Sequence, residues 1–120
     1  MGMAEHVPSV RRGNIVVVAL DPTKGNEIRN TRPCVVVQND VGNRHSDTTV
    51  VAPATTTHRG YPFEVLVTAD ESDFEEDSSI RLDQIRTIDI AERVRFVAGK
   101  LPASTMRAVD SALRLELALE

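Results

Sequence analysis

Aliphatic residues in this chain cluster in short runs separated by turn-forming residues, a pattern that predicts strands along most of its length. Ile15 to Leu20 and Cys34 to Gln38 are β-branched and too short to read as helices. Further strands are predicted near Thr49 to Pro53, Phe63 to Val67, Ser79 to Leu82, Gln84 to Ile88 and Arg95 to Ala98, punctuated by Gly, Pro, Asn and Asp. Asp89 to Arg93 predicts one helical turn with Asp89 as its cap. From Pro102 onward the period changes. Met106, Val109, Leu113 and Leu117 recur at helical spacing, Arg107, Asp110 and Arg114 take other faces, and Pro102 suits a first helical position. Seven short strands and one C-terminal helix predict a mostly β fold, a small antiparallel barrel with the helix packed against it. Leu115 and Leu119 widen the apolar face of that helix, which serves either the core or a subunit interface.

At 120 residues and 41% hydrophobic content the chain is sized for one domain. Residues 1–10 are expected to form a loose tail and 11–120 the domain. The single Cys34 has no internal disulfide partner, and no apolar stretch approaches the ~20 residues of a membrane span, so a cytoplasmic location is expected. The net charge of −4 argues against a nucleic-acid partner until its distribution is seen. Residues 1–60 carry seven Arg and Lys against five Asp and Glu, whereas 61–120 carry seven against thirteen. The acidic half keeps the protein soluble or faces a basic partner.

The cations gather in the polar run Asp21 to Pro33, between the first two strands. Lys24, Arg29 and Arg32 are suited to gripping an anion, Glu27 places a carboxylate among them, and Gly25 frees the backbone to turn. His6, His45 and His58 lie far apart in sequence; the latter two are either an acid and base pair or exposed loop residues. No metal or cofactor is expected from the His and Cys spacing. The acidic run Asp70 to Asp77 reads as a solvated loop, and Cys34 as a small buried hydrophobe. Tyr61, Phe63, Phe74 and Phe96 are not grouped as a base-stacking platform.

Several motifs together resemble the MazF/PemK toxins of bacterial toxin-antitoxin systems. They are Arg12-Gly13, the run Asp21-Pro22-Thr23-Lys24-Gly25-Asn26-Glu27 continuing to Thr31-Arg32-Pro33, Val37 to Arg44, Ala54-Thr55-Thr56, Gly60 to Val65, and Asp83 to Asp89. The resemblance implies an SH3-like barrel of the CcdB/PemK kind, a homodimer, a MazE-like antitoxin partner, and metal-independent cleavage of single-stranded mRNA. It also implies that Arg32 and Thr55 occupy the two catalytic positions and that Glu27 belongs to the active loop. In such a reaction a ribose 2′-hydroxyl attacks its own phosphate, leaving a cyclic phosphate and a 5′-hydroxyl. Arg32 suits the extra charge on phosphorus, Thr55 a further hydrogen bond, and Glu27 either accepts a proton or orients Arg32 through an ion pair. Lys24, Arg29 and Arg59 are candidates for RNA phosphates, and Gln84 either reads a base edge or makes a structural hydrogen bond. The chain departs from the family pattern at Asn14, where Asp is common, and at Val17, where an aromatic is common. Two rivals share this barrel: a CcdB-like gyrase-binding toxin without nuclease chemistry, and a barrel that only binds RNA.

Overall fold

The computed structural model describes residues 7–120. Its centre is three antiparallel strands, β1 (Asn14–Ala19), β2 (Thr31–Val36) and β3 (Thr48–Thr55). Strand β3 serves two partners on its other edge. Its first half pairs with β6 (Arg86–Asp89), from Thr48 opposite Asp89 to Val51 opposite Arg86. Its end pairs with β5 (Ser78–Arg81), Ala54 opposite Ile80 and Thr55 opposite Ser79. β4 (Glu64–Val67) continues beyond β5, and β7 (Val94–Lys100) lies outside β1, so the path runs β4-β5-β3-β2-β1-β7 with β6 branching from β3. The mostly β antiparallel prediction holds; the pairings among the described residues leave the path open, with β4 and β7 at its two ends, and do not form a closed barrel.

Successive residues of a strand point to opposite faces, and here both faces are covered. Ile15, Val35, Ala52, Ala54 and Ile80 join one core cluster with Val109 and Ala112 of the C-terminal helix. Val16, Val18, Cys34, Val36, Val51 and Ile88 form a second cluster with Val10, Ile90 and Val94. Burial on both faces is why β1 and the end of β2 read as continuous aliphatic runs instead of alternating ones.

Several boundaries differ from expectation. β2 starts at Thr31, because the polar Thr31-Arg32-Pro33 already pairs with Ala19, Val18 and Val17. Gln84 to Ile88 is not one strand: Leu82–Gln84 forms a 3₁₀ turn and β6 begins at Arg86. Helix α1 (Asp40–His45) was not anticipated; none of its residues is buried, so no apolar period marks it, and Asn39 caps it by accepting the Gly42 N–H at 2.7 Å. Helix α2 (Ile90–Arg93) is the predicted turn, with Asp89 accepting the Glu92 N–H at 2.9 Å. In α3 (Ala103–Glu116) Pro102 stands at the N-cap, one residue earlier than predicted. Val109 and Ala112 are buried and Met106 and Leu113 pack beside them, whereas Leu115, Leu117 and Leu119 are exposed. Of the predicted tail 1–10, residues 1–6, including His6, lie outside the described residues, while Val10 is buried in the second cluster.

Candidate active site

Arg32 stands opposite Val18, on a strand that carries Cys34 and Val36 into the second cluster. Its guanidinium is held by backbone carbonyls: Nε donates to the Arg29 oxygen at 2.8 Å and Nη1 to the Ala54 oxygen at 3.4 Å. Arginine has five N–H groups, so most of the fork stays open to a ligand. The Ala54 contact brings Arg32 beside Thr55, whose hydroxyl donates to the Thr57 carbonyl at 3.0 Å. Both residues line one cavity of about 740 Å³, which Phe96 on β7 and the acidic segment Asp73 to Glu76 also line. That segment is more than a solvated loop. Phe74 is buried, and Asp73 accepts the Lys100 N–H at 3.0 Å.

Cys34, two residues after Arg32, is fully buried. Burial pushes its thiol up to about 12, against the opposing pull of the Arg32 and Arg86 guanidinium groups. It is a protonated hydrophobe, as the sequence predicts, and no nucleophile.

The loop between β1 and β2 is shaped by its own atoms. Glu27 Oε1 accepts the Lys24 N–H at 2.7 Å, Arg29 Nη2 donates to the Gly25 carbonyl at 3.2 Å, and Gly25 takes a φ of +56°. The expected ion pair between Glu27 and Arg32 is not among the salt bridges of the described residues; backbone carbonyls orient Arg32 instead. Lys24 and Arg29 are exposed. Gln84 Oε1 accepts the Ile28 N–H at 3.2 Å, which is the structural one of its two expected roles. Glu27, Gln84 and Arg86 line a smaller recess of about 210 Å³.

A second loop, 56–63, follows Thr55. The Arg59 and Tyr61 N–H groups both donate to Glu64 Oε2 at 3.1 Å, and Gly60, at φ +78°, turns the chain between them. Arg59 thus sits at a fixed backbone position close in sequence to Thr55. His45 ends α1 and His58 lies in this second loop, on different elements, and no hydrogen bond joins them among the described residues.

With this geometry, a family model described as "PemK-like, MazF-like toxin of type II toxin-antitoxin system" matches residues 11–117. The chain belongs to that family. It is 41% identical over 112 residues to "Endoribonuclease EndoA" of Bacillus subtilis, covering 92% of this chain and 96% of that one. It is 37% identical over 116 residues to "Endoribonuclease MazF9" of Mycobacterium tuberculosis, covering 92% and 98%. Among solved structures, Mycobacterium tuberculosis toxin MazF-mt6 superposes with a TM-score of 0.76 at 28% identity, over 89% of this chain and 98% of that chain. A mycobacterial endoribonuclease in complex with its cognate antitoxin has the same fold, with a TM-score of 0.79 at 24% identity over 92% and 97%.

For a PemK/MazF-like toxin, the sequence left two groups of residues unread. Arg86 is a second guanidinium acting on Cys34 from the side of β6, with a buried Nη1 that has no hydrogen-bond partner among the described residues. It lies within the Asp83 to Asp89 motif, and period two puts it on the face of buried Ile88. Glu64, Ser79 and Arg81 form a polar group at β4 and β5, with Arg81 Nε 3.5 Å from Glu64 Oε1 and bidentate to Asp83 at 2.8 and 2.7 Å. The sequence marks it by a single carboxylate opening the apolar strand Glu64–Val67, within the Gly60 to Val65 motif.

Proposed function

We propose that this toxin is a sequence-selective, metal-independent endoribonuclease that cuts single-stranded mRNA, acting in the cytoplasm as a homodimer restrained by a MazE-like antitoxin. The observation that carries the reading is the meeting of Arg32 and Thr55 on one cavity. The printed names of the two relatives and of the antitoxin complex support the same class. The strand β3 shared between β5 and β6 is compatible with an SH3-like description of the fold.

In this reading the 2′-hydroxyl attacks the adjacent phosphorus and the bond to the 5′-oxygen breaks, giving a 2′,3′-cyclic phosphate and a 5′-hydroxyl. Charge builds on the non-bridging oxygens. The open N–H groups of Arg32 receive it in the geometry a planar fork provides, already oriented by two carbonyls and so needing no rearrangement during the reaction. Thr55 adds a donor by exchanging the Thr57 carbonyl for a phosphate oxygen. Glu27 keeps the cationic loop in shape by holding the Lys24 N–H. Lys24, Arg29 and Arg59 contact RNA phosphates, and the acidic antitoxin segment competes for the same cations.

The test is incubation of purified protein with long single-stranded RNA in excess chelator, followed by mapping of the ends. Discrete cuts with 5′-hydroxyl ends are expected. Intact RNA with stalled gyrase would instead establish the CcdB-like alternative, and retarded but uncut RNA a binding protein.

A further inference from the structure

The mechanism above needs a group to take the 2′-proton, and neither residue on the cavity does so readily: an arginine holds its proton to above ~12 and a threonine hydroxyl is a poor base. The polar group beyond Thr55 offers a candidate. Glu64 has a fully buried side chain whose Oε2 accepts two backbone N–H groups of loop 56–63 and lies 3.6 Å from His58 Nδ1. The same Nδ1 is 3.0 Å from Ser79 Oγ, and Ser79 is fully buried. Ser79 is directly opposite Thr55 in the β3–β5 ladder, so the two share a face with Cβ atoms roughly 5 Å apart. Ile80 and Ala54 turn the other way, into the first core cluster, which leaves Thr55, Ser79 and the imidazole together on the opposite side. Two oxygens at Nδ1 favour the tautomer with the hydrogen there, leaving Nε2 as an acceptor. The ring is one third exposed, enough for a substrate to reach it.

Resting on the ribonuclease reading, we propose that His58 is the general base of the cleavage and that Glu64 is the residue that positions it. Nε2 takes the 2′-proton as the 2′-oxygen bonds to phosphorus; the bond to the 5′-oxygen breaks, and that oxygen takes a proton from water. His58 then returns its proton to solvent. The charged and titratable neighbours are Glu64 from β4, Arg81 from β5, Asp83 from the next turn, and Arg59 and Tyr61 from the loop itself. Arg81 is committed to Asp83 through both Nε and Nη2, which leaves Glu64 Oε1 without a hydrogen bond among the described residues and its Oε2 to the loop and the imidazole. Burying a carboxylate is costly; here the two loop N–H groups and the nearby Arg81 guanidinium offset that cost, and the same carboxylate lies against the imidazole.

The experiment measures single-turnover cleavage of one RNA across pH for the wild type, His58→Gln, His58→Ala, Glu64→Gln, Glu27→Gln and Arg32→Ala, each shown folded by circular dichroism. His58→Gln should cut about 10²–10⁴-fold more slowly with RNA affinity little changed, and should lose the fall in rate toward acid pH. Added imidazole should restore His58→Ala, with the rate following the basicity of substituted imidazoles. Glu64→Gln should lower the maximal single-turnover rate and leave the half-saturating protein concentration nearly unchanged. Cleavage by His58→Gln at the wild-type rate, beside an inactive Arg32→Ala, would overturn the His58 proposal alone. So would loss of the acid limb in Glu27→Gln together with no imidazole rescue. A wild type that leaves RNA intact would sink the ribonuclease reading and this role with it.

Discussion

The two loops that flank Arg32 and Thr55 are built in opposite ways. Loop 21–30 is rich in charge, exposed, and closed by contacts three or four residues apart, such as Glu27 to Lys24 and Arg29 to Gly25. Its long-range ties among the described residues are the Gln84 bond to the Ile28 N–H, the packing of Ile28 against the second cluster, and Arg93 Nη1 on the Ala19 and Asp21 carbonyls at 3.0 and 2.7 Å. Loop 56–63 carries less obvious charge but converges on a buried carboxylate and a buried serine. Local closure suits a surface that must adapt to RNA or to an antitoxin segment, since few contacts are lost when it moves. Anchorage on buried groups suits residues whose positions must be kept within a fraction of an ångström.

Breaking the buried anchor should cost most. Glu64→Ala leaves two backbone N–H groups without their acceptor and is expected to lower stability by about 2–3 kcal/mol in urea titration, with a marked loss of cleavage. Next comes the floor between the loops. The Cys34 thiol, raised from 9.0 to about 12 in the folded chain, keeps its proton where the unfolded thiol loses its own. Its contribution to stability is therefore complete below pH ~9 and falls by on the order of 1 kcal/mol per pH unit between ~9 and ~12. Comparing urea midpoints of the wild type and Cys34→Ala across that range checks the sign. Gln84→Ala, which frees the Ile28 N–H, is expected to cost about 1 kcal/mol and to raise hydrogen exchange in loop 21–30 but not in 56–63. Glu27→Gln should change stability by no more than ~0.5 kcal/mol, because its one bond is local and exposed. A Glu27→Gln effect as large as that of Glu64→Ala would erase the contrast.

The sequence made the first loop legible, whereas in the second it marked His58, Arg59 and the Gly60 to Val65 motif without the contacts that join them, for physical reasons. Charges clustered between two aliphatic runs stand out along the chain, as do the strands themselves and the helix of Met106, Val109 and Leu113. Thr55 was read from the family motif alone, since a hydroxyl at a strand end ordinarily signals a turn. The network of Glu64, His58 and Ser79 joins three segments up to 21 residues apart, and its meaning depends on the Thr55–Ser79 register, which periodicity does not specify. The same limit hid the true partner of Glu27. Two opposite charges five residues apart suggested an ion pair, but the carboxylate found a nearer backbone N–H. Helix α1 escaped notice because it buries nothing.

The most direct test of the central claim compares wild type and Arg32→Ala on the same single-stranded RNA in chelator, with urea midpoints measured in parallel. Removing the guanidinium that meets the phosphate should slow cutting by about 10²-fold or more while leaving the midpoint within the range of a surface substitution. Wild-type cleavage by a folded Arg32→Ala protein would contradict the account.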